Sequence, residues 1–106
     1  MIKIVPVSFD DILFDPGEIG EMLTGCQQRH RKMRFAGAAA SDDALLVLFE
    51  EVPFRSESKI VLAPFRNEDP EEISAEISER YENGYTLRAS FRMKSRTWAV
   101  YEKEED

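Results

Sequence analysis

The sequence predicts a small α+β domain in which a β-α-β-β unit is used twice. Two pairs of matching segments and one shared pattern predict it. Lys3-Ile4-Val5 with Phe9 is echoed fifty-six positions later by Lys59-Ile60-Val61 with Phe65. Asp15-Pro16-Gly17-Glu18-Ile19 is echoed fifty-four positions later by Asp69-Pro70-Glu71-Glu72-Ile73. From Asp15 to Glu51 no further gap is needed, so Arg34 lands on Arg88, Ser41 on Ser95 and Glu50-Glu51 on Glu104-Glu105. The reading is one domain over 1–106, with copies 1–53 and 57–106.

The second anchor has a mechanism. Aspartate accepts from the free amides of a first helical turn, proline at the next position lacks the hydrogen that would be unpaired there, and glutamate complements the helix dipole. The two-residue difference between copies falls between the anchors, where 10–15 faces only 66–69, and reads as a change of loop length.

Taken in order, 2–9 reads as a strand that Pro6 confines to an edge or a bulge. Residues 16–30 read as a helix with Ile19, Met22, Leu23 and Cys26 on its buried face. Residues 33–40 and 44–50 form a hairpin about Ser41-Asp42-Asp43, and 53–58 connects the copies. In the second copy 59–65 is a strand with Pro64 as the matching edge signal. Residues 70–82 form a helix with Ile73, Ile77 and Tyr81 on one side, stopped at Asn83-Gly84. Residues 85–93 alternate, with Leu87, Ala89, Phe91 and Met93 against Arg88, Ser90 and Arg92, and 97–102 is the last strand. Each helix has one apolar stripe for a sheet to cover. The expected architecture is one mostly antiparallel sheet with both helices on a single face. The alternative is a ferredoxin-like sandwich with an extra strand.

The segment Glu82-Asn83-Gly84-Tyr85-Thr86-Leu87, between a capped helix and a hairpin, resembles the Glu-x-Gly-Trp-Glu-Leu turn of small bacterial β-α-β-β families of unknown function. The likeness covers about residues 59–103 and extends more weakly to the first copy. Tyr85 stands for the tryptophan and Thr86 for the second glutamate. The resemblance implies a fold and carries no chemistry with it.

Composition narrows the function classes. With 42% hydrophobic and 33% charged residues, the chain suits a folded domain rather than a disordered segment. A net charge of −7 argues against direct nucleic-acid binding, which calls for a basic field. The longest apolar run, 44–49, is far shorter than the ~20 residues that cross a bilayer, and no signal-peptide pattern follows Met1. Cys26, the one cysteine, has no partner for an internal disulfide, so the expected setting is the cytoplasm.

No phosphate loop, nucleophile elbow or metal motif is present, so the expectation is a protein that is not an enzyme and uses no cofactor or metal. Cys26 and His30 share a helix face, but a closed zinc site wants four such ligands and the chain holds only these two. Their bland reading is a small core residue and a residue at the helix end.

The feature weighed most heavily is basic. Arg34, Arg88 and Arg92 fall on the side of their strands away from the helices, with Lys94 in the last hairpin turn. An even-length loop at that turn puts Tyr101 on the same open side, and an odd one puts Trp98 and Val100 there. That surface suggests a non-catalytic interaction module that docks an acidic partner, an anionic ligand or a second copy of itself. A second reading is an acidic inhibitor or nucleic-acid mimic acting through Glu72, Glu76 and Glu79 of the 70–82 helix. A third is a small-ligand domain with a pocket between helices and sheet.

Overall fold

Residues 1–29, 32–53 and 58–104 are described by the computed structural model. The described residues form six strands and three helices in the order β1 Ile2–Ser8, α1 Phe9–Phe14, α2 Pro16–Arg29, β2 Met33–Ala40, β3 Ala44–Glu51, β4 Lys59–Pro64, α3 Pro70–Glu82, β5 Tyr85–Met93 and β6 Arg96–Lys103. The α+β class holds, and so does the doubled β-α-β-β order apart from the added α1 in the first half; the elements that were expected fall within a residue or two of their expected bounds.

The single sheet does not form. The strands make two antiparallel three-stranded sheets, ordered β1-β3-β2 in the N-terminal half and β4-β6-β5 in the C-terminal half. This also excludes the ferredoxin-like alternative, which needs one continuous sheet. The two sheets share one core. It holds Val7, Leu45, Val47, Phe35 and Phe49 of the N-terminal sheet and Ile60, Leu62, Phe91, Trp98 and Val100 of the C-terminal sheet. Phe9 stacks on Phe91 with ring centroids 6.2 Å apart. A second, smaller core lies on the far side of the C-terminal sheet, where Ile73 and Ile77 of α3 cover Val61, Ala63, Leu87, Ala99 and Tyr101. The helices therefore do not share a face.

Helix α2 closes the seam between the halves. It runs beside β4, the edge strand of the other half. A Cβ on Gly20 would lie 3.0 Å from the Ile60 carbonyl oxygen, so glycine permits the close approach. One turn on, Thr24 Oγ1 accepts the Ile60 N–H at 2.9 Å, which pairs an edge amide that no strand covers.

The Asp-Pro start is realised unequally. Asp15 Oδ1 accepts the Glu18 N–H at 3.1 Å, whereas Asp69, the N-cap of α3, makes no side-chain capping bond. Gly84, at φ +89°, ends α3 as expected. Helix α1 occupies what read as a loop-length change. Ser8 caps it by accepting the Asp10 N–H at 3.2 Å, and Phe9 and Ile12 enter the main core. It is one and a half turns of structure, and it ends β1 at Ser8.

Two β-bulges decide which way side chains face. Register shifts between Leu87 and Ala89 in β5 and between Phe35 and Gly37 in β2. Leu87 consequently faces α3 while Phe91 and Met93, expected beside it, face the N-terminal half. Pro6 sits on the free edge of β1. Bonds from Glu51 N to Met1 O and from Phe9 N to Asp43 O bracket the β1–β3 ladder. Ile2, Ile4, Pro6 and Ser8 therefore turn their backbone groups outward, where a missing N–H costs no ladder bond.

Candidate functional site

The arginines expected on one open sheet face are separated, and the β5 bulge is the reason. Arg88 is the extra residue of the bulge. Its Nε lies 3.6 Å from Glu102 Oε1, a buried carboxylate on the side that faces the N-terminal half. Arg92 instead lies on the side of α3, with its NH1 3.9 Å from Glu68 Oε2. With Lys94 it lines a groove of about 650 Å³ that also holds Asp10, Asp42 and Asp43, so those cations face acids of their own chain. Arg34 stands opposite Glu50 in the β2–β3 register. The basic surface is not assembled.

Tyr101 is likewise not on an open face. The loop is even, as Lys94 and Ser95 form a two-residue turn between the paired Met93 and Arg96, and this puts Trp98 and Val100 in the main core. The opposite side, where Tyr101 lies, is roofed by α3, and the ring has no exposed surface. Burial pushes its phenol pKa up, with the charge of Glu76 adding to the effect. Among the described residues, its hydroxyl and Trp98 Nε1 are the two buried side-chain polar atoms without a hydrogen-bond partner.

The acidic stripe on α3 is also taken apart. Glu76 is buried, and its Oε1 accepts from both the backbone N–H and Nε of Arg66, at 3.1 and 3.0 Å. Glu79 accepts from the NH2 of the same arginine at 3.1 Å. Glu72 alone of the three makes no such pair among the described residues. Cys26 is half-buried against the main core. His30 lies outside the described residues, as does the expectation placed on it.

The surface the arrangement does leave open is apolar. The inner face of the N-terminal sheet is spent on the main core, and no described helix covers its outer face. That face is built in cross-strand rows: Ile4–Leu48–Gly37, then Pro6–Leu46–Ala39, with Ile2–Glu50–Arg34 at one end. Ile2 and Ile4 are 51% and 56% exposed, and Leu46 and Leu48 are half-buried. The repeat gives this face its meaning. Ile4, Pro6, Leu46 and Leu48 correspond to Ile60, Leu62, Val100 and Glu102, all four of which are buried between the sheets. The two halves stack head to tail, and the first half's outer face is the unused copy of a surface that the second half buries.

The signal for it lay in β3. Leu45-Leu46-Val47-Leu48-Phe49 is apolar at successive positions, and a strand with one solvated face alternates instead.

No helix among the described residues is long and apolar enough to cross a membrane. The chain matches no protein-family model, no curated protein and no solved structure. What fold and surface define is thus a class: a two-sheet α+β domain built from a doubled β-α-β-β unit, with one apolar sheet face uncovered among its described residues.

Proposed function

We propose that the chain is a non-catalytic interaction module that pairs with a second copy of itself through the outer face of the N-terminal sheet. One observation carries the reading: that face is apolar and uncovered among the described residues, while its counterpart in the other half is buried in the core the two halves share. A contiguous apolar face on a small domain marks an interaction surface.

A second copy fits for three reasons. Its own inner face is occupied and its C-terminal sheet is roofed by α3, so the sheet face it has to offer is this same one. The pairing is then isologous and closed, about a two-fold axis. The face is also close to neutral, with Arg34 opposite Glu50, although the chain carries −7. Two acidic molecules therefore meet where repulsion is least. Its relief is self-complementary, since Ile4, Pro6, Leu46 and Leu48 stand as ridges beside a Gly37–Ala39 furrow.

Three strands about 4.8 Å apart and seven residues long give a footprint on the order of 350 Å². Standard interfaces bury about 800 Å² per partner, so the dimer is a weak one. The setting we propose is the cytoplasm, on the strength of the unpaired thiol of Cys26 and the likeness of 59–103 to small bacterial families.

Sedimentation velocity from about 10 µM to about 1 mM tests the reading. Wild type is expected to shift from monomer to dimer across that range, and Leu48→Glu to stay monomeric with its thermal midpoint nearly unchanged. A wild type that is monomeric at the highest concentration overturns the proposal. So do concentration-dependent amide shifts confined to the β1 edge, which would assign any dimer to strand pairing instead.

A further inference from the structure

A cleft of about 520 Å³ runs along the flank of α3, lined by Pro64, Arg66, Glu76, Glu79, Arg80, Asn83, Tyr85 and Lys103. Its charges are unequally satisfied. Glu76 and Glu79 are both held by Arg66. Arg80 and Lys103 make no ion pair among the described residues, and they are fixed instead by aromatic rings. The Arg80 guanidinium carbon lies 5.4 Å from the Tyr85 centroid and 5.1 Å from that of Tyr101. Lys103 Nζ lies 5.1 Å from the same Tyr85 ring. Two cations are thus gathered about one ring at a concave site, in a chain whose net charge is −7.

The fixing matters for binding. A free surface arginine or lysine loses rotamer entropy when it takes a ligand, whereas a guanidinium already resting on two rings has lost much of it. The Tyr101 ring that supports Arg80 is itself fully buried under α3, so the guanidinium rests on a fixed base. The cleft therefore holds two cations fixed by rings, which are the complement of an oxygen-rich anion.

We propose that this cleft binds a small oxyanion, a carboxylate or a phosphate monoester, with Arg80 and Lys103 as its ionic contacts and Arg66 recruitable as a third. Glu79 opposes binding twice over, by its own charge and by occupying Arg66. The site stands apart from the outer face of the N-terminal sheet, and neither proposal depends on the other.

The experiment is an NMR titration of the full chain with inorganic phosphate and, separately, with acetate and citrate. Expected are saturable shifts at Tyr85, Arg80 and Lys103 in the millimolar range. Phosphate outcompeting citrate would point to phosphate esters as ligands, and the reverse to polycarboxylates. Lys103→Gln, a change at a strand end, should weaken binding about three- to tenfold, and Lys94→Gln, outside the cleft, should not. Glu79→Gln should tighten binding by a similar factor, a gain that damage to the fold would not produce. Shifts that rise linearly without saturating, or equal affinities for wild type, Lys103→Gln and Glu79→Gln, overturn the proposal.

Discussion

The hydroxyl of Thr24 receives the Ile60 N–H at 2.9 Å and gives its own hydrogen to the Gly20 carbonyl at 2.8 Å. A helix of the first half thereby pairs an edge amide of the second. Edge strands left unpaired template association with other chains, so this contact does more than join two halves. It covers part of the β4 edge; at β1 Pro6 limits pairing, and β2 and β5 are the remaining edge strands.

Thr24→Val keeps the shape and removes the hydroxyl, leaving the Ile60 amide unpaired at a partly buried seam. The expected loss is about 1–2 kcal/mol in urea unfolding, together with faster hydrogen exchange at Ile60. Thr24→Ser should retain most of both. Equal stability for Val and Ser would mean that the hydroxyl contributes only packing.

A more deeply buried contact crosses the same seam. Gln27 Oε1 accepts the Phe35 N–H at 2.8 Å, and its Nε2 donates to the Ser58 carbonyl at 3.1 Å and to the Ser58 hydroxyl. Ser58 in turn donates to Glu102 Oε2 at 2.7 Å. Gln27→Leu, of similar size, strands the buried Phe35 amide and removes the donor that Ser58 accepts from. About 2–4 kcal/mol is expected, because each orphaned buried group costs about 1–3. The check is a urea midpoint; a loss below about 1 kcal/mol would mean that water replaces the glutamine.

What the sequence revealed of this molecule is local, and what it hid is relational. Strand and helix boundaries follow from apolar period, from Asp15-Pro16 and Asp69-Pro70, and from Gly84, all of them readable within a few residues. The facing of β5 depends on one extra residue at Arg88, and no composition or period marks a bulge in advance. That single residue separated Arg88 from Arg92 and turned a supposed basic surface into two unrelated ion pairs. The acidic stripe failed for a similar reason, since nothing near Glu76 in sequence announces that Arg66 will fold back upon it. Helix α1 was legible and was missed: Ser8 followed by Asp10 and Asp11 is an N-cap with an acidic first turn. The uncovered face was legible too, in Leu46 and Leu48 alternating with core residues of the same strand. The reading of the open side rested instead on Arg34, Arg88 and Arg92.

Acid should loosen the attachment of the loop before α3. Glu68 accepts from the Thr97 N–H and from its hydroxyl, each at 2.7 Å. These bonds, Thr97's side chain first, hold its carboxyl pKa below the usual glutamate value near ~4.3, with Arg92 and Arg96 adding to the effect. A depressed folded-state pKa means stability that is present above the ordinary value and lost as pH falls through the lower one. Wild-type unfolding midpoints should therefore drop more steeply than those of Glu68→Gln between about pH 5 and pH 2. Parallel curves for the two proteins would remove Glu68 from the acid response.

The final hairpin carries correctable strain. Lys94 and Ser95 both adopt left-handed backbone, at φ 52° and 65°, in a two-residue loop between the paired Met93 and Arg96. Positive φ at both central positions is the type I′ turn, which matches strand twist and favours Asn-Gly. A serine with its Cβ is strained there, whereas glycine adopts the conformation at little steric cost. Glycine also adds freedom to the unfolded chain, which offsets part of the gain. Ser95→Gly is expected to stabilise by about 0.5–1 kcal/mol and Lys94→Asn with Ser95→Gly by somewhat more, raising the thermal midpoint by about 2–8 °C. Because neither side chain enters a core, packing changes cannot mimic the gain. A midpoint that falls in Ser95→Gly would show that unfolded-state entropy outweighs the relief of strain at this turn.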